Sequence, residues 1–360
     1  MTINLIQDIE TPHNNCLIRH LKLHGSEELR LWYAEDIKSS KSSDTYLETQ
    51  HIYGKKINFR FLLRCIMCSD EKFFIVGWAN INTILLHIIF FIIRKPFNHW
   101  TDLGVNTFEK LTLHKKILRR CAYYILKKSN CIIFCVSNAT MSYLKSLSIN
   151  ENKLIHLPIY IDTYDLYTSI PYDKKSTLEK YSIDINSFVI TAGSRLDYLK
   201  GFDLFLNAFE KYDSQLIKKC TIIIVGSGPE YNKLREIADN LDCKIIFTDW
   251  LQIDDFKSII YSSNLFVQPS RYETFGSASL AMSLGTPVIG TVSSGSSADR
   301  ITDGYNGYLY VYNDLSRLIN KIQFLQNNKN ILNKLSMCAF NSSQSWPLER
   351  GRKTITNNII

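Results

Sequence analysis

The chain has 360 residues, of which 45% are apolar and 12% aromatic. This length and composition exclude a disordered tail and a mini-scaffold, and they favour two domain cores over one. The formal net charge of +8 is modest but uneven, because residues 51–150 contain 15 basic and 4 acidic side chains.

Cysteine usage and the N-terminus predict an intracellular protein. The nine cysteines have no repeating interval, and the single C-x-x-C pair, Cys65 and Cys68, has no second pair to complete a zinc site. Reduced cytosolic thiols are the simplest interpretation. The first residues lack the basic start and apolar centre of a secretory signal.

Apolar runs alternate with helix-length stretches in a pattern typical of parallel sheets covered by helices. The pattern occurs twice, which predicts an α/β protein with two Rossmann-like domains. The predicted strands are 3–6, 29–33, 73–76 and 132–136 in the first half, and 188–192, 221–225, 244–248, 264–268 and 287–291 in the second half.

The predicted domains are joined by a polar stretch. Residues 161–186 are weakly periodic, as in a linker, so we predict a first domain over 1–162, a linker over 163–186 and a second domain over 187–340. Residues 341–360 either fold back onto the first domain or fray. The longest apolar run, 84–93, is half the length of a membrane-spanning helix, which needs about twenty residues, and it predicts a buried or membrane-facing helix.

A basic amphipathic helix is predicted over residues 109–128. One stripe contains Leu111, Leu118, Cys121, Ala122 and Ile125, and the basic residues beside or opposite it are Lys115, Lys116, Arg119 and Arg120. Such a helix favours an anionic membrane surface. The alternative is a core-packed helix with a solvated basic face. No nucleic acid is expected, because no recognition motif accompanies the charge.

Two loops of the second half have features of a phosphate site. After strand 188–192, a small-residue turn carries Arg195 and Lys200, which we expect to hold a diphosphate near backbone N–H groups. Ordinary solvated charges are the alternative. A second turn, 225–229 (VGSGP), contains glycines that permit close backbone approach.

A third motif spans residues 268–277 (QPSRYETFGS) and 281–290 (AMSLGTPVIG). The strand end delivers Glu273 into a cleft, and Gly276 lets a ligand lie against the chain. We expect this carboxylate to accept bidentate hydrogen bonds from sugar hydroxyls. Alternatively, Glu273 caps the helix that follows.

The order and spacing of these motifs over residues 188–290, followed by 303–307 (DGYNG), resemble the nucleotide-sugar domain of retaining family-4 glycosyltransferases. The resemblance implies the GT-B fold, with two Rossmann-like domains facing a central cleft. It also implies transfer of a hexose from a UDP- or GDP-sugar to an acceptor hydroxyl, with retained anomeric configuration and with no metal or other cofactor. In the front-face mechanism usually proposed for such enzymes, the leaving phosphate takes the acceptor proton, so the protein mainly positions groups and stabilises charge.

The resemblance assigns roles to individual residues. Arg195 and Lys200 match the diphosphate-binding pair, Glu273 matches the acid that contacts the hexose, and the loop 248–251 borders the nucleobase. The donor site implied is Gly193, Ser194, Arg195, Lys200, Gly226, Asp249, Trp250, Leu251, Glu273, Thr274, Phe275, Gly276 and Ser277. The family's second glutamate, which usually holds the ribose, is absent, because Ala281 stands eight residues after Glu273.

Three side chains of the first half are candidates for the acceptor side. His13 follows the first strand, where the family has a glycine-rich loop, and it is expected to orient the acceptor or the donor phosphate. The neighbouring Asn14 or Asn15 is alternatively the helix cap. His99 or Asp102 stands near the family's acceptor-side histidine or acid, although a lone histidine beside a tryptophan is more often a packed residue.

These features favour a hexosyltransferase that extends a lipid-linked surface polysaccharide of the O-antigen, capsule or lipopolysaccharide type. The expected partners are the nucleotide-sugar donor, a saccharide acceptor on a lipid diphosphate and the anionic inner face of the membrane, where the cytoplasmic protein would be peripheral. One alternative is a non-catalytic subunit that binds a nucleotide sugar or a partner transferase, as the missing glutamate suggests. The other is a sugar-nucleotide epimerase on the same fold.

Overall fold

The computed structural model describes residues 2–8, 12–34, 55–78, 80–102, 113–162, 166, 173–212 and 214–360. The chain divides into two compact units. One comprises Met1–Tyr160 and Pro347–Ile360, and the other comprises Ile161–Trp346. Each unit has its own parallel sheet, with seven strands described in the first and six in the second.

The sheet of the first unit has the order β3-β2-β1-β4-β5-β6-β7. Consecutive residues of β1 are buried, and since neighbouring side chains point to opposite faces, both faces of the sheet are covered. The strands are β1 (Thr2–Gln7), β2 (Glu28–Tyr33), β3 (Lys55–Lys56), β4 (Glu71–Val76), β5 (Phe97–Thr101), β6 (Cys131–Cys135) and β7 (Leu154–His156). The helices between them are α1 (Pro12–His24), α2 (Phe59–Met67), α3 (Ile81–Ile92), α4 (Leu113–Lys128) and α5 (Asn138–Ser146).

The sheet of the second unit has the order β10-β9-β8-β11-β12-β13. Its strands are β8 (Phe188–Gly193), β9 (Cys220–Val225), β10 (Lys244–Phe247), β11 (Leu265–Gln268), β12 (Val288–Thr291) and β13 (Gly307–Tyr310). Its helices are α6 (Lys174–Lys180), α7 (Phe202–Ala208), α8 (Ser214–Ile217), α9 (Tyr231–Ala238), α10 (Ile253–Ser262), α11 (Ala278–Ser283), α12 (Gly295–Arg300), α13 (Leu315–Asn327) and α14 (Lys329–Ser343). The strand order reverses between β8 and β11. Ligands of such sheets bind at the carboxyl ends of the strands that flank this switch point.

The chain returns to the first unit at its C-terminal helix, α15 (Leu348–Asn358), which packs on α1. Gly351 makes this packing close, because a Cβ atom there would lie 2.7 Å from Leu17 and 2.8 Å from the Tyr160 ring. Beyond the helix, the Asn98 side chain in β5 donates to the Ile360 carbonyl at 3.0 Å and accepts from the Ile360 N–H at 3.1 Å.

The predicted α/β fold with two Rossmann-like sheets is confirmed, and all nine predicted strands occur within two residues of their expected bounds. The strands that were not predicted are Lys55–Lys56, Phe97–Thr101, Leu154–His156 and Gly307–Tyr310. The predicted linker is wrong from residue 173 onward. Asp173 caps α6 there, and Leu178 and Ile183 are buried in the second unit. Residues 163–165 and 167–172 of that prediction lie outside the described residues.

The apolar run 84–93 lies mostly in α3, which buries Leu86, His87 and Phe90 and exposes Ile81, Leu85 and Ile92. The helix is therefore buried on one side and apolar on its exposed side. Among the helices that the structure describes, none has both the length and the apolar character that crossing a bilayer requires.

Candidate functional site

The loop after β8 places two cations at the switch point of the second sheet. Asp197 stabilises the single turn Tyr198–Lys200 by accepting a hydrogen bond from the Leu199 N–H at 3.0 Å. Arg195 is 73% exposed and pairs with Asp197, its Nε lying 2.8 Å from Oδ2. Lys200, at the other end of the turn, is mostly buried. The loop therefore presents one exposed and one mostly buried positive charge.

The loop after β11 holds Glu273 through its main chain and its carboxylate. The Glu273 N–H donates to the Ser293 carbonyl at 3.1 Å, and its carbonyl accepts from the Gly295 N–H at 2.9 Å. Oε1 accepts a hydrogen bond from Lys200 Nζ. Oε2 accepts from Gln268 Nε2 at 2.6 Å and from Ser270 Oγ at 2.8 Å.

Glu273 and Lys200, which the sequence placed in one site, are thus in direct contact. The alternative that Glu273 caps the following helix is wrong, because α11 has Ser277 at its N-cap and the Glu273 carboxylate is bound elsewhere. Oε2 already accepts two hydrogen bonds from the protein in this conformation, and the expected bidentate contact with sugar hydroxyls stays a prediction.

Arg271 joins these two loops and was not among the predicted site residues. Its guanidinium donates to both carboxylate oxygens of Asp203, at 2.6 and 2.9 Å, and to the Tyr198 carbonyl at 2.7 Å. It also lies 4.1 Å from the centroid of the Tyr198 ring. Burial opposes ionisation of Asp203, but the hydrogen bonds and charges of Arg271 and Lys233 together outweigh it and lower the pKa of Asp203.

Glycines allow the loops to approach each other. Gly201 has φ +69°, and a Cβ atom there would lie 2.2 Å from the Pro269 carbonyl oxygen. Gly226 has φ +128°, and its Cβ would lie 2.0 Å from the Ser194 carbonyl oxygen. The close approach predicted for the 225–229 turn is therefore an approach to the chain's own Ser194 loop.

The remaining predicted donor residues surround these loops. Gly193 packs under Phe256, to whose ring a Cβ atom would come within 2.6 Å. The Asp249 carbonyl accepts from the Gly226 N–H at 2.8 Å, which places the exposed Trp250 next to the glycine turn. Leu251 is half-buried and packs against the core.

The segment after Glu273 is mostly engaged within the protein. Phe275 is buried and Thr274 is half-buried. The Ser277 N–H donates to Gln268 Oε1 at 3.0 Å, and the contact of Ser277 with the donor stays a prediction. Ala281, at the position of the missing glutamate, is fully buried in the core.

His99 lies within strand β5 and not on the surface. It is fully buried, and its Nδ1 lies 3.1 Å from His87 Nε2. His87 Nδ1 lies 2.6 Å from the Thr83 carbonyl, which can only accept, so we assign the His99 N–H as donor to His87. Burial holds the pKa of His99 well below its ordinary value. The expected acceptor-side role of His99 is therefore wrong, and the packed alternative is correct.

The other first-half candidates are placed less directly. Asp102 is exposed just after β5, and its role stays a prediction. Because α1 begins at Pro12, Asn14 and Asn15 lie inside the first turn and are not its cap. His13 belongs to this turn, and its side chain lies outside the described residues.

The predicted basic helix is described as Leu113–Lys128. It buries Ala122, Ile125 and Leu126, whereas Leu118 and Cys121 of the predicted apolar stripe are exposed. The predicted apolar stripe therefore included two residues, Leu118 and Cys121, that are not buried. Lys116 and Arg120 are exposed and Arg119 is half-buried, while Leu111 and the Lys115 side chain lie outside the described residues.

Comparisons with known proteins bear on the second unit most strongly. Residues 173–341 match the family model described as "Glycosyl transferases group 1". The GDP-mannose-dependent monoacylated alpha-(1-6)-phosphatidylinositol monomannoside mannosyltransferase of Corynebacterium glutamicum is 28% identical over 177 residues, covering 46% of this chain and 45% of that protein. The capsular polysaccharide biosynthesis glycosyltransferase CapM of Staphylococcus aureus is 25% identical over 290 residues, covering 76% of this chain and 73% of CapM.

The whole chain resembles solved structures in fold. Anabaena HepE in complex with UDP superposes with a TM-score of 0.78 and 18% identity, covering 99% of each chain. At this identity the likeness establishes the fold, which is GT-B. The chain spans about half the length of several curated relatives that it matches.

Proposed function

We propose that this chain is a retaining hexosyltransferase that uses a UDP- or GDP-sugar, because residues 173–341 match the group 1 glycosyltransferase family model and both units have the Rossmann-like architecture of the GT-B fold. The observation that carries the proposal is the contact between Lys200 and Glu273 at the switch point of the second sheet. A cation for the diphosphate and an acid for the hexose stand side by side there. The named relatives include a GDP-mannose-dependent enzyme and a protein that binds UDP.

In this proposal, the donor diphosphate is neutralised by side chains. Arg195 is exposed and Lys200 lies at the base of the same loop, so both can turn to a bound diphosphate. The positive charges of these two side chains stabilise the negative charge that develops on the departing diphosphate in the transition state. The leaving phosphate accepts the proton of the acceptor hydroxyl. The chain then needs neither a protein nucleophile nor a metal ion.

We further propose that the acceptor is a saccharide on a lipid diphosphate and that the first unit binds the anionic inner face of the membrane. Helices α3 and α4 lie side by side, with the Phe91 and Tyr124 rings 6.0 Å apart. Together they expose apolar and basic side chains: Ile81, Leu85, Ile92, Ile117, Leu118, Tyr124, Lys116, Arg120, Lys127 and Lys128. Exposed apolar side chains on the same two helices as exposed cations suit an anionic bilayer. The name of CapM supports a role in surface polysaccharide synthesis.

The membrane surface is tested by co-sedimentation with vesicles of phosphatidylglycerol or phosphatidylcholine. We expect binding to the anionic vesicles, and Leu118→Glu should weaken it. Met337→Glu is the matched control, because Met337 is an exposed apolar side chain of the second unit. Equal binding of both variants and the wild type would contradict the assignment of this surface.

The transfer activity is tested with purified protein and a panel of UDP- and GDP-hexoses, with product analysis by mass spectrometry and NMR of the anomeric proton. We expect an α-linked product from an α-linked donor. Glu273→Ala and Lys200→Ala should each abolish transfer while leaving the circular dichroism spectrum unchanged. A wild-type rate in either variant would show that the donor binds elsewhere.

A non-catalytic donor-binding subunit is the second candidate. The observation that favours it is the burial of Ala281 in the core, which leaves no carboxylate at the family's ribose-binding position. Donor binding without turnover across plausible acceptors would support this candidate. An epimerase would instead convert the nucleotide sugar without an acceptor, and the same assay detects that product.

A further inference from the structure

The carboxylate of Glu273 is held asymmetrically, and Gln268 is the main cause. We propose that Gln268 is a positioning residue that fixes Oε2 of Glu273, so that Oε1 is the one oxygen this acid presents to the donor hexose. The proposal rests on the donor site proposed above and adds to it which oxygen recognises the sugar and what aims it.

Gln268 is rigidly placed. It is the last residue of β11, pairs with Gly290 of β12 and is almost completely buried. Its side-chain orientation is determined by its neighbours. The Ser277 N–H can only donate and lies 3.0 Å from one end of the amide, so that end must be the carbonyl oxygen Oε1. The NH₂ group therefore faces Glu273.

The NH₂ group and Ser270 enclose one carboxylate oxygen. Gln268 Nε2 donates to Glu273 Oε2 at 2.6 Å, and the fully buried Ser270 Oγ donates to it at 2.8 Å. Gly276 closes the third side, because a Cβ atom there would lie 2.9 Å from Oε2. Two donors in hydrogen-bonding range use the acceptor capacity of a carboxylate oxygen, so Oε2 has no lone pair left for a ligand.

The other oxygen has a partner that the donor can replace. Oε1 accepts from Lys200 Nζ, and Lys200 is the group proposed to bind the diphosphate. When the diphosphate draws Lys200 away, Oε1 becomes an acceptor aimed by Gln268 and Ser270 and meets a hexose hydroxyl. Gln268 thereby also links the acid to the Ser277 amide, which joins strand β11 to the start of α11.

The test separates recognition of the hexose from recognition of the nucleotide. Isothermal titration calorimetry gives the dissociation constants of UDP, UDP-glucose, GDP and GDP-mannose for the wild type, Gln268→Met and Ser270→Ala. The readout is the ratio of the constant for the nucleoside diphosphate to that for its sugar, for whichever nucleotide the wild type binds. A fold defect alone would change both constants and leave this ratio intact.

We expect Gln268→Met to lower this ratio about tenfold, which corresponds to the loss of one hydrogen bond to a charged group. The dissociation constant of the nucleoside diphosphate should change less than about threefold, because the nucleoside diphosphate has no hexose to make that hydrogen bond. Ser270→Ala should change the ratio in the same direction. The matched control is Gln326→Met on α13, whose amide bonds Tyr212 and Leu216 in the same unit. It should leave the ratio unchanged.

Wild-type ratios in both Gln268→Met and Ser270→Ala, with nucleotide binding intact, would overturn the assignment of Gln268 alone. A wild-type protein that binds none of the four compounds would overturn the proposed donor site and this assignment with it. The two failures are therefore distinguishable.

Discussion

Replacing Arg271 by methionine removes the guanidinium that joins the two donor loops while keeping much of its apolar stem. The variant loses two hydrogen bonds to Asp203, one to the Tyr198 carbonyl and the contact with the Tyr198 ring. The Arg271 and Asp203 side chains are only 6% and 12% exposed. The substitution therefore leaves a nearly buried carboxylate behind.

The magnitude follows from what remains next to Asp203. Removing one partner of a buried ion pair costs about 3–5 kcal/mol. Lys233 still lies 3.2 Å from Asp203 Oδ2, but its side chain is half exposed. We therefore expect the free energy of unfolding of the second unit to fall by about 3 kcal/mol, the lower end of that range. Asp203→Leu combined with Arg271→Met should be more stable than Arg271→Met alone, because no uncompensated charge remains.

The assay is urea-dependent hydrogen exchange measured by mass spectrometry on peptides from β8 and β11, which reports the second unit separately from the first. Arg317→Met is the control, because Arg317 pairs with Asp303 at 2.8 Å with exposures of 41% and 44%. Such a surface pair is worth less than about 1 kcal/mol. If Arg271→Met lowers the free energy of unfolding no more than this control does, the buried pair of Arg271 and Asp203 does not stabilise the loops and the reasoning is refuted.

Three further predictions concern other parts of the chain. Gly226 has φ +128°, and a Cβ atom there would lie 2.0 Å from a carbonyl oxygen. Gly226→Ala should therefore lower the free energy of unfolding of the second unit by at least about 2 kcal/mol. The control is Gly304→Ala, whose Cβ would lie 3.9 Å from its nearest neighbour, and a loss in Gly226→Ala no larger than in this control would contradict the prediction. Hydrogen bonding from Arg64, together with Asn4, lowers the pKa of Glu71 to about 2 from its ordinary 4.5. The stability from this carboxylate is complete above pH 4.5 and is lost as the pH falls towards 2. Urea midpoints of the wild type and Glu71→Gln should therefore differ at pH 7 and converge near pH 2, and a constant difference would exclude this role. Finally, EDTA should leave the proposed transfer rate unchanged in a radiolabelled-donor assay, whereas a loss of rate that Mg²⁺ restores would contradict neutralisation by side chains.

The sheets were largely predictable, because β-branched apolar runs mark strands that are covered on both faces. Strand β5 escaped prediction because its sequence, FNHWT, contains three polar residues, Asn98, His99 and Thr101. Asn98 and His99 are nevertheless buried, with the Asn98 side chain bonded to the Ile360 backbone and Nδ1 of His99 bonded to His87. Their hydrogen-bonding partners lie elsewhere in the chain, so the local sequence pattern does not predict the burial of Asn98 and His99.

The site was predictable only as a set of residues. The motifs identified Glu273 and Lys200, but their contact joins positions 73 residues apart in the chain. Arg271 was not predicted as a site residue, because its partner Asp203 lies 68 residues away in the chain. Gln268 could be identified from the sequence only as the first residue of a motif. Its hydrogen bonds to Glu273 and Ser277 form only when the loop has folded.

The chain crosses from the first unit to the second and back again, and this has a consequence for biosynthesis. Residues 161–346 are contiguous, so the second unit can fold as soon as it has emerged from the ribosome. The first unit must wait, because Gly351 and the backbone of Ile360 complete its packing against Leu17 and Asn98. Residues 2–160 are therefore synthesised before the second unit and α15 after it, so the apolar surface around Leu17 stays uncovered until Gly351 has left the ribosome.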